Sequence, residues 1–357
     1  MKVKRLSART LILAALVASC SNNNLLDTAI PISSTDNNAT KTEVRLLTHD
    51  SFAVSEETFQ IFENETGIEV VVQTAGDTGQ LISTAVLTNK NPIADVIFGI
   101  DNTFMQRALD EDLFQEYNSP ALSKVSNSLI LDPTFRLLPV DYGDICVNYW
   151  IDYFSQELPP PKSLDDLIDP AYKDLFVVQN PETSSPGLGF LLATIAEYQS
   201  NWENYWESLK ENNVTVTSSW ESAYYGDFIA GGGKRPIVVS YASSPPAEVI
   251  YANPAVDKAP TAVITDTCFR QVEFVGILKK SRNLTESQAL VDFMLSKTFQ
   301  EDIPLNMFVF PAISDASIPD VFLEHTELPE NPHRLDPKTI GLNRNSWTRQ
   351  WTEVVLR

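Results

Sequence analysis

Three adjacent residues of the types found in hydrolase triads are His49, Asp50 and Ser51. They follow a short β-rich run, and consecutive residues on an extended strand point to alternate faces, so these side chains do not hydrogen-bond in series as a triad requires. The sequence also lacks the G-x-S-x-G, phosphate-loop, G-x-G-x-x-G and H-E-x-x-H motifs. We therefore expect a binding protein rather than an enzyme.

Asp50 is a candidate ligand-binding carboxylate. It stands at the carboxyl end of a predicted strand, which is the edge where open α/β sheets bind ligands, and its charge suits a cation or an amine. Trp220, Tyr224 and Tyr241 offer aromatic faces on which a flat cation stacks. The alternatives are that Asp50 caps the helix that follows and that Trp220 and Tyr241 pack in the core or at the interface between lobes.

Ser184 and Ser185 precede a proline and a glycine at the predicted start of a helix. A helix N-terminus leaves backbone N–H groups unpaired, so these amides and the two hydroxyls predict a site for an anion or a ligand hydroxyl. The alternative is that the serines only cap the helix.

Strands and helices alternate along the part of the chain that carries these residues. β-rich or apolar runs at 44–47, 68–72 and 94–100 predict strands, and apolar residues at helical spacing predict helices at 52–65 and 79–89. Nearly continuous apolar strands separated by helices indicate a mainly parallel sheet that is covered on both faces. The predicted fold class is therefore α/β.

The strand pattern predicts two lobes, the second inserted into the first. The chain would cross between them near Asp141, interpreted as a hinge residue, and again near 266–272. Residues 43–140 and 267–357 would form lobe 1, and residues 141–266 would form lobe 2. A hinge between two lobes predicts a cleft in which a ligand is enclosed.

The first forty residues predict export and anchoring. Residues 1–19 combine a basic start with an apolar run at 11–17 that is too short to span a bilayer, which is typical of a signal peptide. The run ends in Leu-Val-Ala-Ser before Cys20, which resembles a bacterial lipoprotein processing site. We expect acylation of Cys20 and a flexible polar linker over 20–42; the alternative is a secreted protein whose cysteine stands there by chance.

The overall charge argues against nucleic-acid binding. The 357 residues carry 47 Asp and Glu against 26 Lys and Arg, a formal net charge of −21 at pH 7. A nucleic-acid binder needs clustered cations to neutralise phosphates, and this chain has few cations. An acidic surface instead attracts cationic ligands.

Two cysteines remain after Cys20, Cys146 and Cys268. In an oxidising compartment they form either one disulfide or two buried thiols. Neither lies in a C-x-x-C or Cys/His pattern, so we predict no zinc site.

Collinear segments over nearly all of the exported chain resemble the thiamine-binding members of the ABC-transporter solute-binding proteins. Each segment alone is a weak signal, but together and in order they are specific. They cover residues 47–52, 94–102, 141–143, 183–189, 215–217 with 220–224, 240–241 with 243–245, 308–311 and 347–351.

The resemblance implies a periplasmic-binding-protein type 2 fold that captures thiamine or a thiamine phosphate and delivers it to the membrane subunits of an ABC permease. It implies a monomer outside the cytoplasm, lipid-anchored at the cell surface or in the periplasm, without a cofactor. The ligand-binding residues that it implies are His49, Asp50, Ser51, Ser184, Ser185, Trp220, Tyr224, Tyr241 and Phe308.

A metal-binding alternative comes from Tyr224 and Tyr225. This pair resembles the double tyrosine with which related ferric-binding proteins hold iron through two phenolates. Hard oxygen ligands suit ferric ion, and His49 or Asp50 would complete the shell. In this alternative the cargo is ferric ion or another small solute.

Overall fold

The computed structural model describes residues 42–357, which form nine strands in a single mixed sheet. The predicted signal peptide, the acylation of Cys20 and nearly all of the predicted linker lie outside the described residues. The strands are Thr42–Thr48 (β1), Ile68–Thr74 (β2), Val96–Asp101 (β3), Leu138–Trp150 (β4), Phe176–Gln179 (β5), Thr215–Thr217 (β6), Ile237–Tyr241 (β7), Thr261–Ile277 (β8) and Phe310–Pro311 (β9).

Helices flank the sheet. None of those within residues 42–357 combines the length and the apolar character needed to cross a bilayer. They are Glu56–Thr66 (α1), Thr78–Thr88 (α2), Met105–Asp110 (α3), Leu164–Leu167 (α4), Ser185–Tyr198 (α5), Trp202–Glu211 (α6), Trp220–Ser222 (α7), Ser244–Ile250 (α8), Leu284–Met294 (α9), Lys297–Asn306 (α10), Asp320–His325 (α11) and Pro337–Val355 (α12).

The order of the strands is β2-β1-β3-β8-β4-β7-β5-β6, with β9 paired to β4. β1 pairs in parallel with β2 and β3, and β5 pairs in parallel with β6 and β7, whereas the central pairs β3–β8, β8–β4 and β4–β7 are antiparallel. This arrangement confirms the predicted α/β class. Two parallel groups of strands are thus joined through two long antiparallel strands.

The two long strands exceed their predicted lengths. The apolar runs at 145–150 and 272–278 predict short strands, but β4 and β8 begin earlier and have 13 and 17 residues. The prediction failed because β4 contains Asp141, Gly143 and Asp144, which interrupt the apolar run. Strand pairing nevertheless holds these residues in the sheet, where Asp141 and Asp144 are buried.

Local signals mark both ends of the first helix, which ends before Gly67 as predicted but begins at Glu56, later than the predicted residue 52. The side chain of Ser55 accepts a hydrogen bond from the backbone N–H of Thr58, and the helix ends at Gly67 in the left-handed region at φ 73°. An N-cap hydroxyl and a terminal glycine satisfy the unpaired groups at the two ends of α1.

The C-terminal helix α12 packs against both α3 and α6. Trp351 of α12 and Trp206 of α6 are fully buried, with ring centroids 5.4 Å apart at 84°. Residues 337–355 therefore contact an element of each predicted lobe, and the lobe boundaries given above stay a prediction.

A disulfide between Cys146 of β4 and Cys268 of β8 joins the two central strands. Both residues are fully buried, beside Ala242 and Val263. The bond lies where the pairing of β4 with β8 is irregular, between Ile145 and Val147.

Candidate functional site

A cavity of about 500 Å³ opens where several strands end. The residues that follow β1, β2, β5 and β6 line it together with the last residue of β7. This is the sheet edge at which open α/β sheets bind ligands. Helix α8 and the turn between α10 and β9 supply further wall residues.

The structure brings most of the predicted residues to this cavity. Ser184 is the exception, because its side chain is fully buried and does not line the wall. The predicted residues that do line it are His49, Asp50, Ser51, Ser185, Trp220, Tyr224, Tyr225, Tyr241 and Phe308.

Asp50 stabilises the turn between β2 and α2 through two hydrogen bonds. Its carboxylate accepts a hydrogen bond of 2.9 Å from the backbone N–H of Gly76, and its own backbone N–H donates to the carbonyl of Gly76 at 3.0 Å. The alternative that Asp50 caps the next helix is wrong, since Ser55 caps α1. Asp50 remains exposed at the cavity and is available to a ligand.

His49 lies behind Asp50, almost completely buried, with Nε2 3.6 Å from Oε1 of Glu273. Burial lowers the pKa of His49 to about 4, although the charge of Asp50 opposes the shift. The imidazole is therefore neutral at pH 7 and adds no positive charge to the cavity. Gly99 makes room for it at a β-bulge with φ 96°, where a Cβ atom would lie 2.1 Å from Cδ2 of His49.

Asp77 joins two helix N-termini. It caps α2, where its Oδ1 accepts from the backbone N–H of Thr78 at 2.7 Å, and its Oδ2 lies 3.4 Å from the backbone nitrogen of Trp220 at the start of α7. Burial raises the pKa of Asp77, and the hydrogen bonds from the backbone N–H groups of Thr78 and Trp220 oppose the shift.

Hydroxyl groups continue this link behind the cavity wall. Ser185 lies 2.8 Å from Thr78 through their side-chain oxygens, and Thr78 donates to the carbonyl of Gly99 at 3.0 Å. The start of α5 is thus fixed to the start of α2 and to the bulge in β3.

Aromatic rings form a second wall. Trp220 stacks on Tyr224 with centroids 5.0 Å apart and planes at 20°, and its Nε1 donates to Oγ of Ser240 at 2.9 Å. The ring of Tyr225 stands nearly perpendicular to both, at 82°. The three rings thus hold one another in place where they line the cavity.

The hydroxyl of Tyr224 is engaged within the protein. It donates to Oε1 of Glu248 at 2.7 Å. Burial raises the pKa of Tyr224 well above its usual value, and burial together with the charge of Glu221 raises that of Tyr225. Both phenols are therefore protonated at neutral pH, whereas iron binding through this pair needs two phenolates.

The floor of the cavity holds a pair of acids. Glu273 lines the cavity, and Asp141 of β4 lies opposite Glu273 of β8 in the strand pairing. Burial raises the pKa of Asp141 to about 8, and burial together with the charges of Asp141 and Asp101 raises the pKa of Glu273. Two adjacent buried carboxyl groups do not both ionise readily, so the pair holds a proton at neutral pH.

Charge distinguishes this cavity from an ordinary cleft. Neither Lys nor Arg is among the residues between 42 and 357 that line it, and His49 is neutral. Five carboxyl-bearing side chains do line it, namely Asp50, Asp77, Glu221, Glu248 and Glu273. Carboxylates and aromatic faces attract a cation with a flat ring system, and the cavity volume suits a small organic molecule.

Of the five lining acids, sequence reasoning missed Asp77, Glu221, Glu248 and Glu273. Asp77 had a usable signal, because it follows the second strand just as Asp50 follows the first. Glu273 had a weaker one, a charged residue inside the apolar run Val272–Phe274. Nothing in the sequence indicates Glu248, which reaches the cavity from α8.

Comparison with known proteins agrees with this geometry. Residues 91–331 match the family described as bacterial extracellular solute-binding protein. The thiamine-binding periplasmic protein of Salmonella typhimurium is 30% identical over 325 residues, which are 89% of this chain and 94% of the relative. That of Escherichia coli is 27% identical over 321 residues, with 89% and 94% covered.

Solved structures show the same fold. A periplasmic thiamin binding protein superposes with a TM-score of 0.79 at 26% identity, covering 89% of this chain and 98% of that one. Iron-bound HitA from Pseudomonas aeruginosa gives 0.70 at 18% identity, covering 87% and 99%. Both the matched family and the extent of the similarity place this chain in the bacterial extracellular solute-binding protein family.

Proposed function

We propose that the protein is the solute-binding component of an ABC importer and that its cargo is thiamine. One observation carries this proposal: the cavity combines five carboxyl-bearing side chains with a preformed aromatic wall and contains neither Lys nor Arg among the described lining residues. Thiamine presents a cationic thiazolium, a flat aminopyrimidine and a hydroxyethyl tail, which are the groups that such a lining recognises. The thiamine-binding relatives support the choice of cargo.

The protein acts by capture and release, not by chemistry. The two groups of strands on either side of β4 and β8 would form the two lobes, and a solute between them would favour the closed form by binding both sides. Asp50 and Phe308 would contact it from lobe 1, and Trp220 and Tyr241 from lobe 2. The closed protein would then deliver the cargo to the permease, held near the membrane by acylated Cys20.

Isothermal titration calorimetry of the exported chain, together with mass spectrometry of what co-purifies with it, tests the cargo. We expect thiamine to bind at micromolar concentration or below, to quench tryptophan fluorescence and to be recovered unaltered. Recovery of another solute and no heat on adding thiamine would refute the proposal.

Ferric ion is the competing cargo, and the same sample tests it. Iron held by Tyr224 and Tyr225 would give a visible phenolate-to-iron absorption band when ferric citrate is added. We expect no such band, because the Tyr224 hydroxyl is bound to Glu248 and its pKa is raised.

A further inference from the structure

The start of α2 packs backbone to backbone against the turn that leads into α5. The backbone N–H of Gly79 donates to the carbonyl of Thr183 at 3.0 Å, and a Cβ atom on Gly79 would lie 2.7 Å from the carbonyl oxygen of Glu182. The first amides of a helix have no acceptor within the helix, so Thr183 satisfies a group that α2 leaves unpaired. Beside this contact the Ser185 hydroxyl lies 2.8 Å from that of Thr78, and together they form what we call the α2–α5 seam.

Arg344 of α12 binds the same turn from another side. Its Nη2 donates to the carbonyl of Glu182 at 3.1 Å, and its guanidinium lies over the ring of Phe104, with Cζ 4.2 Å from the ring centroid. Phe104 is fully buried and directly precedes α3. Arg344, Phe104 and α2 belong to predicted lobe 1, whereas Glu182 and α5 belong to predicted lobe 2. The guanidinium and the seam therefore both join segments of the two predicted lobes.

The burial of this cation is only partly compensated. Arg344 is 5% exposed, and its Nε is buried without a hydrogen-bond partner among residues 42–357. Within the same residues, none of the ion pairs includes it. Burial lowers its pKa to about 10, so the group still carries its charge at pH 7. A buried, incompletely paired cation is a costly way to fill space between helices, which favours a role beyond packing.

We propose that Arg344 and Gly79, neither of which lines the cavity, hold the α2–α5 seam as a latch that favours the closed form and slows release of the solute. The latch acts through the turn, because Ser185 at its end lines the cavity. Opening of the lobes would break the bond from Gly79 to Thr183 and the bond from Arg344 to Glu182. The inference rests on the proposed function and makes Arg344 a positioning residue that sets how long the solute is held.

Stopped-flow tryptophan fluorescence of the full chain with thiamine tests the latch. Arg344→Ala removes the bond to Glu182, and we expect thiamine release to become at least about threefold faster, since one hydrogen bond to a charged group readily contributes that much. The association rate should not fall, because the solute enters the open form, which lacks this bond. Arg344→Lys should recover part of the slow release, and Arg349→Ala, exposed on the same helix, should leave it unchanged.

Gly79→Ala tests the seam from the opposite side. Its added Cβ would press on the carbonyl of Glu182, so we expect faster release of thiamine in this variant too. Alanine is a better helix former than glycine, so α2 itself is not weakened by the change. Thermal melting of each variant measures stability separately. Release rates that stay at the wild-type value in both Gly79→Ala and Arg344→Ala, whatever their melting temperatures, would overturn the inference.

Hydrogen exchange of the Gly79 backbone N–H tests the latch without any cargo. Because α2 offers this amide no acceptor, its exchange rate reports the bond to Thr183 directly. By NMR of isotope-labelled protein without added thiamine, we expect slower exchange than for an unpaired amide, and faster exchange in Arg344→Ala than in the wild-type protein. Exchange at the unpaired rate in the wild-type protein would also overturn the latch. Failure of thiamine to bind would overturn the proposed function instead, so the two failures are distinguishable.

Discussion

Asp141 lies directly opposite Glu273 in the antiparallel pairing of β4 and β8, with the first fully buried and the second 8% exposed. Two acids therefore share a buried position beneath the cavity, which Glu273 lines. His49 stands 3.6 Å from Glu273 and is neutral, and neither Lys nor Arg lines the cavity within residues 42–357, so no described cation compensates the pair from the cavity side. A cationic solute would supply the missing charge.

The acid pair predicts how stability depends on pH. The folded chain keeps a proton on the pair up to about pH 8, whereas an unfolded Asp loses it near 3.8, so the folded state binds more protons. The free energy of unfolding should therefore fall as pH rises, by at most about 1.4 kcal/mol per pH unit for one proton. His49 has the opposite effect on the free energy of unfolding, which it raises as pH rises from its folded pKa of about 4 to its unfolded value of 6.5. The effect of the acid pair is therefore best measured between pH 6.5 and 8.

Urea unfolding of the ligand-free protein across that window measures the effect. Other carboxyl groups whose pKa is raised, such as Asp77 and Glu248, act in the same direction, so the comparison is with Asp141→Asn. We expect a shallower slope in this variant. Identical slopes would show that the pair carries no proton at neutral pH.

The same acid pair should make thiamine affinity rise with pH, whereas it makes the free energy of unfolding fall. A bound cation favours the ionised pair, so binding releases a proton and thiamine affinity should rise with pH between 6.5 and 8. Calorimetry in two buffers with different ionisation enthalpies counts the released protons. Binding heats that are independent of the buffer in the wild-type protein would contradict this expectation, and Asp141→Asn should reduce the count.

Trp220 should contribute through its ring face. We expect Trp220→Ala to weaken thiamine binding by about 1 to 3 kcal/mol, because the stacking surface and the packing on Tyr224 are both lost. Trp220→Phe should recover part of this loss. Trp347→Phe, on α12 and outside the cavity lining, is the matched control for fluorescence. An unchanged dissociation constant in Trp220→Ala would remove the ring from the site.

Asp50 should contribute through its charge. Asp50→Asn keeps a carbonyl oxygen for the backbone N–H of Gly76, so the turn between β2 and α2 is retained while the charge is removed. We expect a larger loss of affinity for thiamine than for an analogue in which a neutral thiophene replaces the thiazolium. Equal losses for the two ligands would exclude a role in charge recognition.

The disulfide should stabilise the fold without taking part in binding. Cys146 and Cys268 are 122 residues apart, and closing a loop of this length is worth about 4 to 5 kcal/mol in the chain-entropy estimate, with about 2 to 5 kcal/mol typically measured. We expect the double variant Cys146→Ala, Cys268→Ala to lose unfolding free energy in this range. Its thiamine affinity should be retained, because neither residue lines the cavity; a large change in affinity would contradict this separation of roles.

Most of the sheet was predictable from sequence because its strands are apolar and its helices carry local start and stop signals. β3 is buried along its whole length, and Ser55 and Gly67 mark the ends of α1. The full lengths of β4 and β8 were not predictable, since pairing between distant segments, not local propensity, holds their polar residues in the sheet.

Part of the candidate site was predictable, namely the residues whose type and position at a strand end already indicate ligand binding. Asp50 and Tyr241 are such residues, and both line the cavity. Glu273 and Asp141 were missed because their meaning depends on facing each other across two strands more than a hundred residues apart. Which residue faces a buried acid is decided by the register of two paired strands, and a short stretch of sequence does not reveal that register.

The bond between Cys146 and Cys268 also limits how the molecule can change shape. It lies in the irregular stretch of the β4–β8 pairing, where the strands would otherwise be freest to slip. With a covalent tie at that point, the two strands cannot slide past each other by a residue, so shear along the sheet is blocked and bending of both strands as a unit remains. The acid pair would then keep its alignment through the opening and closing proposed above.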